Sequence, residues 1–399
     1  MHRLLPLLLL LSVSADARPD RLNAYPRLDR RDRLGSASGP LLSMPLVASG
    51  ASECDGATPS GLTFTRASSA TCTRSDGTLR TLSSNAPRVS ARGLLVEGAA
   101  TNLVLHSSDL SQAAWTKGAG ITCTLVAHVE GNYSRCTNAG GTPATVSQAL
   151  TAVAATRSTS LRLRGGTGTV EVRRDGASAY ASVTAAASSA SWVRAAPSCL
   201  SGDAYCTAVP TLSSGAADPV VSIRLGALAA VDISYVQDEA GAYATSPIAT
   251  AGTAATRAGD VATTPRPAGF SDATGCLAAT ATFPPSVVGN QRITAFANSN
   301  NTSGAVNAST SLQAWDGANS TILLGLPALG GRSVRALTTW AGSALTLSSL
   351  TDGASNSGTY DGTWALGAIG IGSRTDGTDP LNGHLSNLVI DNTTTGCSQ

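Results

Sequence analysis

The stretch SLRLRGGTGTVEVRRDG, residues 160–176, decides the fold class of this chain. Leu161 and Leu163 alternate with arginines, and after a glycine-rich break Val170 and Val172 alternate with polar residues. A period of two places the apolar side chains on one face of a β-strand. The Gly-Gly-Thr-Gly and Asp-Gly sequences are typical of turns. We therefore predict two short strands that pair as a β-hairpin.

The same alternation recurs along the chain. It covers VVSIRLGALAAVDISYV at 220–236, and shorter stretches after residue 276 repeat it between Gly, Asp and Asn turns. A helix of about two turns is predicted only at 107–115, with Ser108 or Asp109 as its N-cap. Many short strands at this spacing favour sandwiches or jelly rolls. The predicted fold class is all-β, with two β-sandwich (jelly-roll) domains in tandem.

Composition limits the size and partners of the protein. The 399 residues suffice for two or three domains with cores of their own. Charged residues make up 13% of the chain, the formal net charge is +2, and the one basic run, at 18–33, is interleaved with aspartates. Such a chain has no basic field that would concentrate nucleic acid. We expect no nucleic-acid partner.

Residues 1–17 have the pattern of a secretory signal peptide. His2 and Arg3 precede an apolar stretch at 4–13, and Ala-Asp-Ala at 15–17 supplies the small residues of a cleavage site. The apolar stretch is too short to cross a hydrocarbon layer about 30 Å thick. We expect a secreted, extracellular protein without membrane insertion.

The eight cysteines favour disulfide bonds, because their number is even and the predicted compartment is oxidising. Zinc binding is the alternative, but the sequence has no Cys-x-x-Cys pair and only four histidines. We favour sequential pairing, in which the first three bridges close local loops and the last joins the two ends of the final domain. The predicted bridges are Cys54–Cys72, Cys123–Cys136, Cys199–Cys206 and Cys276–Cys397.

Three ordered segments carry further short motifs: GLTFTRASSATCTRSDGTLRTLSSNAPRV at 61–89, GLLVEGAATNLVLHSSDLSQAAWTK at 93–117, and VDISYVQDEAGAYATSPIATAGTAATRAGDV at 231–261. Together they resemble a group of tailed-phage tail-fibre or minor structural proteins, which has secreted bacterial relatives. The resemblance implies a carbohydrate-binding-module-like jelly roll. Residues 271–399 are similar to the laminin-G or concanavalin A-like sandwich that often follows it. The cysteines and the predicted signal peptide favour a secreted bacterial relative.

The resemblance and the composition together imply six segments. They are a signal peptide at 1–17, a linker at 18–45, a β-rich segment at 46–104, a carbohydrate-binding-module-like jelly roll at 105–250, a second linker at 251–270, and a concanavalin A-like or laminin-G-like sandwich at 271–399. The second linker lacks periodicity and contains two prolines. We therefore expect residues 271–399 to fold alone.

The sequence shows no catalytic motif: nucleophile elbow, His-Glu-x-x-His pair and phosphate-binding loop are all missing. A glycan-cleaving enzyme would need two carboxyl groups, and no glutamate follows Glu239. Aspartates are the remaining candidates, but they lie beside glycine or in polar stretches, where aspartate commonly sets turn geometry. These candidates are Asp316, Asp352, Asp361, Asp376 and Asp379. We predict no catalytic residue.

Trp315, Asp316 and Asn319 are the predicted ligand-binding residues. An indole ring stacks on a sugar ring, while a carboxylate and an amide hold its hydroxyl groups. The other tryptophans are predicted core residues, namely Trp115, Trp192, Trp340 and Trp364. The histidines His106, His128 and His384 are isolated from one another and from any nucleophile motif. Asp376 and Asp379 would suit calcium, but turn geometry explains them equally well. We predict no metal site and no cofactor.

Three functions follow as hypotheses. The leading one is a secreted, non-enzymatic protein that binds carbohydrate or a cell-surface glycan. The alternatives are a structural or adhesive protein without a defined sugar site, and an aspartate-dependent glycan-cleaving enzyme. The sequence leaves the oligomeric state open.

Overall fold

The alternating stretches fold into β-strands. The structure, a computed structural model, describes residues 39–48, 54, 56–74, 76–151, 156–174, 179–196, 206–208, 220–287, 289–297, 302–317 and 322–398. Within these residues it contains 31 strands and one four-residue helix, α1 (Thr184–Ala187). The predicted all-β fold class is confirmed.

The strands fall into three groups along the chain. The first group is β1 (Leu42–Met44), β2 (Thr63–Thr65), β3 (Ala70–Thr73), β4 (Leu79–Leu82), β5 (Arg88–Ser90), β6 (Gly93–Val96) and β7 (Ala100–Asn102). The second is β8 (Thr116–Lys117), β9 (Ile121–Val126), β10 (Tyr133–Asn138), β11 (Ala144–Ala149), β12 (Arg157–Thr167), β13 (Val170–Arg174), β14 (Ala181–Ser182), β15 (Val193–Ala196), β16 (Cys206–Ala208), β17 (Val220–Leu225) and β18 (Ala230–Ala240). The third is β19 (Ala255–Arg257), β20 (Val261–Thr264), β21 (Thr274–Thr282), β22 (Gln291–Arg292), β23 (Thr294–Phe296), β24 (Thr302–Ala308), β25 (Ser311–Trp315), β26 (Ile322–Gly325), β27 (Ser333–Ala341), β28 (Ala344–Ser349), β29 (Ala354–Thr359), β30 (Ile369–Ile371) and β31 (Gly383–Asp391).

Two eight-stranded sheets enclose the larger core. One has the order β29-β28-β27-β21-β31-β6-β5, with β1 also paired to β31. The other has the order β2-β20-β30-β23-β24-β25-β26, with β22 also paired to β24. Leu94 and Leu385 from the first sheet lie in one buried cluster with Phe64, Phe296 and Ile371 from the second. We call this pair of sheets the terminal sandwich.

A six-stranded and a five-stranded sheet enclose the second core. The six-stranded sheet has the order β16-β15-β12-β18-β10-β9, and the five-stranded sheet has the order β14-β13-β17-β11-β8. Leu161 and Ile233 from one sheet meet Val172 and Ile223 from the other in a single buried cluster. All strands of this pair lie between β7 and β19 in the chain. We call it the inserted sandwich.

The order of the sandwiches differs from the predicted tandem arrangement. Strands β1, β2 and β6, which precede the inserted sandwich, pair with β31, β20 and β31, which follow it. Gly93 has a φ of +119°, and a Cβ at this position would lie 2.1 Å from the carbonyl oxygen of Leu385. Only glycine allows so close an approach of β6 to β31. The predicted linker at 251–270 contains β19 and β20, and the jelly-roll topology stays a prediction.

The hairpin predicted at 160–176 is wrong, although both of its strands exist. Strand β12 pairs with β15 and β18, whereas β13 pairs with β14 and β17 in the opposite sheet. Gly165 and Gly168 have φ values of +60° and +71°. They let the chain cross from one sheet to the other, so that the apolar side chains of both strands face one core instead of lying side by side in one sheet.

The helix predicted at 107–115 is also wrong, because the segment forms a series of turns. The Asp109 carboxylate accepts the Ser111 N–H at 3.1 Å, as in an Asx turn. The Leu110 N–H donates to the Ser134 hydroxyl at 2.7 Å. These local and tertiary hydrogen bonds replace the helical ones that the segment would otherwise form.

Three of the four predicted disulfides are confirmed. The structure contains Cys54–Cys72, Cys123–Cys136 and Cys276–Cys397. The Cys123–Cys136 bridge links directly opposed residues of β9 and β10. Cys199 lies outside the described residues, so its predicted pairing with Cys206 stays a prediction.

We now expect residues 271–399 not to fold cooperatively when expressed alone, contrary to the expectation from the sequence. The fragment would lack β1, β2, β5, β6 and β20, so β30 keeps only β23 and β31 keeps only β21 as a partner, and new sheet edges are exposed. Circular dichroism during urea denaturation tests this, with residues 39–399 as the control. A cooperative transition of the fragment at the midpoint of the control would contradict the expectation.

Candidate functional site

The predicted sugar site lies at the end of β25. Trp315 is partly buried there, and Asp316 is 3% exposed. The Asp316 Oδ2 atom accepts the backbone N–H of Asp361 at 2.8 Å, so this carboxylate holds a neighbouring loop. Asn319 lies outside the described residues. The structure therefore brings Trp315 and Asp316 together but gives Asp316 a role within the fold, and ligand binding at this place stays a prediction.

The other candidate aspartates are also engaged within the protein. Asp376 Oδ1 accepts both the N–H and the hydroxyl of Thr378, at 2.9 and 2.7 Å. Asp361 Oδ1 accepts the N–H of Thr363 at 2.8 Å. The predicted turn role is confirmed for both. Ion pairs engage the remaining two, Asp352 with Arg332 and Asp379 with Arg292 and Arg374.

The tryptophans occupy two kinds of position. Trp115 lies in the core of the inserted sandwich, and Trp340 and Trp364 lie in the core of the terminal sandwich, as predicted. Trp192 is 5% exposed but belongs to neither core cluster. It packs on the opposite face of the six-stranded sheet.

Charged side chains from the three ordered segments meet in one buried group, which we call the ion cluster. It consists of Arg66, Arg88, Glu97, Arg257 and Asp260, all buried. Asp260 pairs with Arg66 at 3.1 Å and also with Arg88. Glu97 pairs with Arg88 and, at 3.4 Å, with Arg257. The cluster ties residues near β2, β5 and β6 to residues around β19 and β20.

Electrostatics in the ion cluster favour charged side chains. Burial, the largest single effect, would raise the pKa of the Glu97 carboxyl, but the charges of Arg88 and Arg257 and the hydrogen bonds to Glu97 together lower it more. The Ser246 hydroxyl also donates to Glu97, at 2.7 Å, and the net effect is a pKa well below the ordinary value. Because this cluster is closed to solvent and its charges are paired, we assign it to the stability of the fold and not to a ligand.

A different set of residues covers the outer face of the six-stranded sheet. Leu161 and Leu163 of β12 point into the core, so Arg162 and Arg164 point to the opposite face. The Arg164 guanidinium lies 4.2 Å from the ring centroid of Trp192 and 5.0 Å from that of Tyr133. The Arg162 guanidinium lies 4.9 Å from the Trp192 centroid. The two aromatic rings meet edge to face, with centroids 5.4 Å apart.

We call Tyr133, Arg135, Arg162, Arg164 and Trp192 the arginine–aromatic face. Tyr133 and Trp192 are each 5% exposed, whereas the side chains of Arg135 and Arg164 are 55% and 23% exposed. Solvent therefore meets guanidinium groups and not aromatic rings. The rings lie beneath the guanidinium planes and hold them in place. This support reduces the entropy that the arginines lose on binding.

Two carboxylates partly balance the arginines of this face. Asp232 accepts from Arg135 Nε at 2.8 Å and from Arg135 Nη2 at 2.9 Å, and lies 3.6 Å from Arg164 Nε. Glu130 pairs with Arg162 at 3.3 Å. Burial lowers the pKa of the Arg162 guanidinium, and the neighbouring Arg164 lowers it further against the opposite effect of Glu130.

A pocket opens beside the arginine–aromatic face, under the β3–β4 hairpin. It is lined by Thr73, Gly77 and Leu79 from the hairpin and by Arg162, Trp192, Arg194 and Tyr235 from the sheet. The Gly77 carbonyl accepts from Arg162 Nη2 at 2.7 Å, and this bond holds the hairpin over the sheet. Trp192 Nε1 and Arg194 Nε are buried and have no hydrogen-bond partner among the described residues. We call this the hairpin pocket.

Comparisons with known proteins add no assignment. No family model and no curated protein matches the chain. The resemblance to tail-fibre proteins therefore remains an expectation from the sequence. Across the described ranges, no helix is long and apolar enough to cross a membrane, and no group of three or more His, Cys, Asp or Glu side chains could hold a metal ion.

Sequence reasoning missed the arginine–aromatic face. Trp192 was predicted to lie in a core, and the arginines of SLRLR served only as evidence of alternation. The available signal was the residue type at the polar positions of β12: both are arginines, where serine or threonine would have been enough to meet solvent. Tyr133 lies more than 20 residues away in the chain, so its contact with these arginines is visible only in the fold.

Proposed function

We propose that the protein is a secreted, non-enzymatic glycan-binding protein and that the arginine–aromatic face holds its ligand. The observation that carries this proposal is that Tyr133 and Trp192 support the partly exposed Arg164 guanidinium, and Tyr133 also the exposed Arg135 guanidinium. A supported guanidinium presents fixed pairs of N–H donors to hydroxyl or carboxylate oxygens. A sheet also positions such donors more rigidly than a loop does.

Binding is favoured over cleavage by the state of the candidate aspartates. Glycoside hydrolysis needs two carboxyl groups about 5 to 9.5 Å apart that are available to the substrate. All five candidates accept hydrogen bonds or form ion pairs within the protein; examples are Asp316 with the Asp361 N–H and Asp352 with Arg332. The three described disulfides also fit an oxidising, extracellular location.

We expect Arg164→Gln to weaken glycan binding about tenfold or more, because hydrogen bonds to a charged group contribute about 1.5–3 kcal/mol. A glycan array identifies the ligand, and titration calorimetry then compares the variants. Arg224→Gln is the matched control. Arg224 also stacks on an aromatic ring, Tyr180 at 4.0 Å, and pairs with Glu171 at 2.6 Å, but it belongs to the five-stranded sheet.

Two other outcomes would contradict the proposal. If Trp315→Ala abolishes binding while Arg164→Gln binds normally, the ligand site lies at the end of β25. If the natural protein retains no glycan of a broad array, the structural or adhesive alternative takes its place.

A further inference from the structure

We infer that the hairpin pocket receives an anionic group of the glycan, a carboxylate or a sulfate, so that the ligand is an acidic polysaccharide. This inference rests on the proposed function and adds the chemical class of the ligand.

The first support is the hydrogen-bonding character of the pocket. Indole and guanidinium groups donate hydrogen bonds and cannot accept them. Trp192 Nε1 and Arg194 Nε are both buried without a partner in the described part of the chain, and an unsatisfied buried donor costs about 1–3 kcal/mol. The Gly77 carbonyl of the pocket is already bonded to Arg162. Two residues that line the pocket therefore carry donors without a partner, and a group with several acceptor oxygens would satisfy them.

The second support is charge. Arg162 and Arg194 both line the pocket, whereas none of its lining residues carries a carboxylate. Glu130 pairs with Arg162 from outside the lining, at 3.3 Å. Glu239 likewise interacts with Arg194 from outside the lining. Both carboxylates lie outside the lining, so the lining itself attracts an entering anion more strongly than a neutral hydroxyl. An anion adds the attraction between opposite charges to the hydrogen bonds that a hydroxyl would also accept, so the pocket discriminates in favour of the anion.

The hairpin sets the shape of the pocket. Strands β3 and β4 pair over Ala70–Thr73, and Cys72 is bridged to Cys54. The Thr71 hydroxyl donates to the Pro247 carbonyl at 2.8 Å. These bonds fix one wall against the sheet, so the donors are held in place before a ligand arrives.

The test compares an oligogalacturonate with its fully methyl-esterified, neutral form by titration calorimetry at two salt concentrations. We expect the acid to bind at least tenfold more tightly than the ester and to weaken as salt rises. Trp192→Phe keeps an aromatic ring but removes the Nε1 donor, and it should reduce the affinity for the acid about tenfold. Arg224→Gln, on the five-stranded sheet and outside the pocket, should have no effect. If Trp192→Phe does not fold, Arg194→Gln replaces it as the test variant. It removes the second donor and should reduce the ratio between the affinities for the acid and for the ester.

Each other outcome is decisive. Equal binding of the acid and the ester would overturn the inference and leave the proposed function intact. Duplex DNA is added so that its phosphate concentration equals the carboxylate concentration of the acid. If the DNA displaces the acid, the surface binds polyanions in general, and the inference is also overturned. If neither the acid, nor the ester, nor any glycan on the array binds to the protein, the proposed function itself is overturned.

Discussion

Replacing Asp260 with asparagine is expected to lower the free energy of unfolding by about 3–5 kcal/mol. Asp260 is completely buried and pairs with Arg66 and Arg88. It also accepts the Glu97 N–H at 2.9 Å. Asparagine has nearly the same size as aspartate but is neutral. The substitution therefore removes the negative charge that two buried guanidinium groups share. Urea denaturation followed by circular dichroism measures the loss.

Asp232→Asn is the control for the Asp260 variant. Asp232 also pairs with two arginines, Arg135 and Arg164, but the Arg135 side chain is 55% exposed. Solvent can therefore replace the lost contacts, and the expected loss is about 0–1 kcal/mol. Equal losses in the two variants would mean that the ion cluster does not hold the fold together.

Replacing Cys276 and Cys397 together with serine is expected to lower the free energy of unfolding by about 4–5 kcal/mol. The two cysteines are 121 residues apart, so their bridge removes much of the conformational entropy of the unfolded chain. It also holds the C-terminal segment beside β21 in the terminal sandwich. The midpoint and slope of a urea denaturation curve give the loss.

The Cys123–Cys136 bridge supplies the comparison. Its cysteines are only 13 residues apart, and the same entropy model gives a loss of about 3 kcal/mol for the corresponding double serine variant. A larger loss here than at Cys276–Cys397 would show that loop length does not control the stabilisation in this protein.

Features that depend on neighbouring residues could be predicted from the sequence. Leu161, Leu163, Val170 and Val172 alternate with polar residues, and all four are buried in strands. The turn geometry at Asp376 follows from its own side chain and that of Thr378. Three bridges joined cysteines that are consecutive among the eight. Each of these signals lies within a short window or follows from counting.

Features that depend on distant residues could not be predicted. Strand β12 has the same alternation whether it pairs with β13 or with β18, because the pattern specifies a face but not a partner. The ion cluster pairs Arg66 with Asp260 across 194 residues. The motif residues of the three segments were visible in the sequence, but their contact was not. The same limit applies to the hairpin pocket, which combines residues near 75 with residues of β12, β15 and β18.

The inserted position of one sandwich has a consequence for the order in which the chain folds during synthesis. All strands of the inserted sandwich lie within residues 116–240, so its core can close as soon as β18 has left the ribosome. The terminal sandwich needs β31, which ends at Asp391, before β1 has a partner and before β6, already paired with β5, has its second one. The side chains of Leu94 and Val96, which are buried in the final core, therefore stay exposed to solvent until almost the whole chain has been synthesised. Aggregation and chaperone binding should concentrate in this interval, on the early strands of the terminal sandwich.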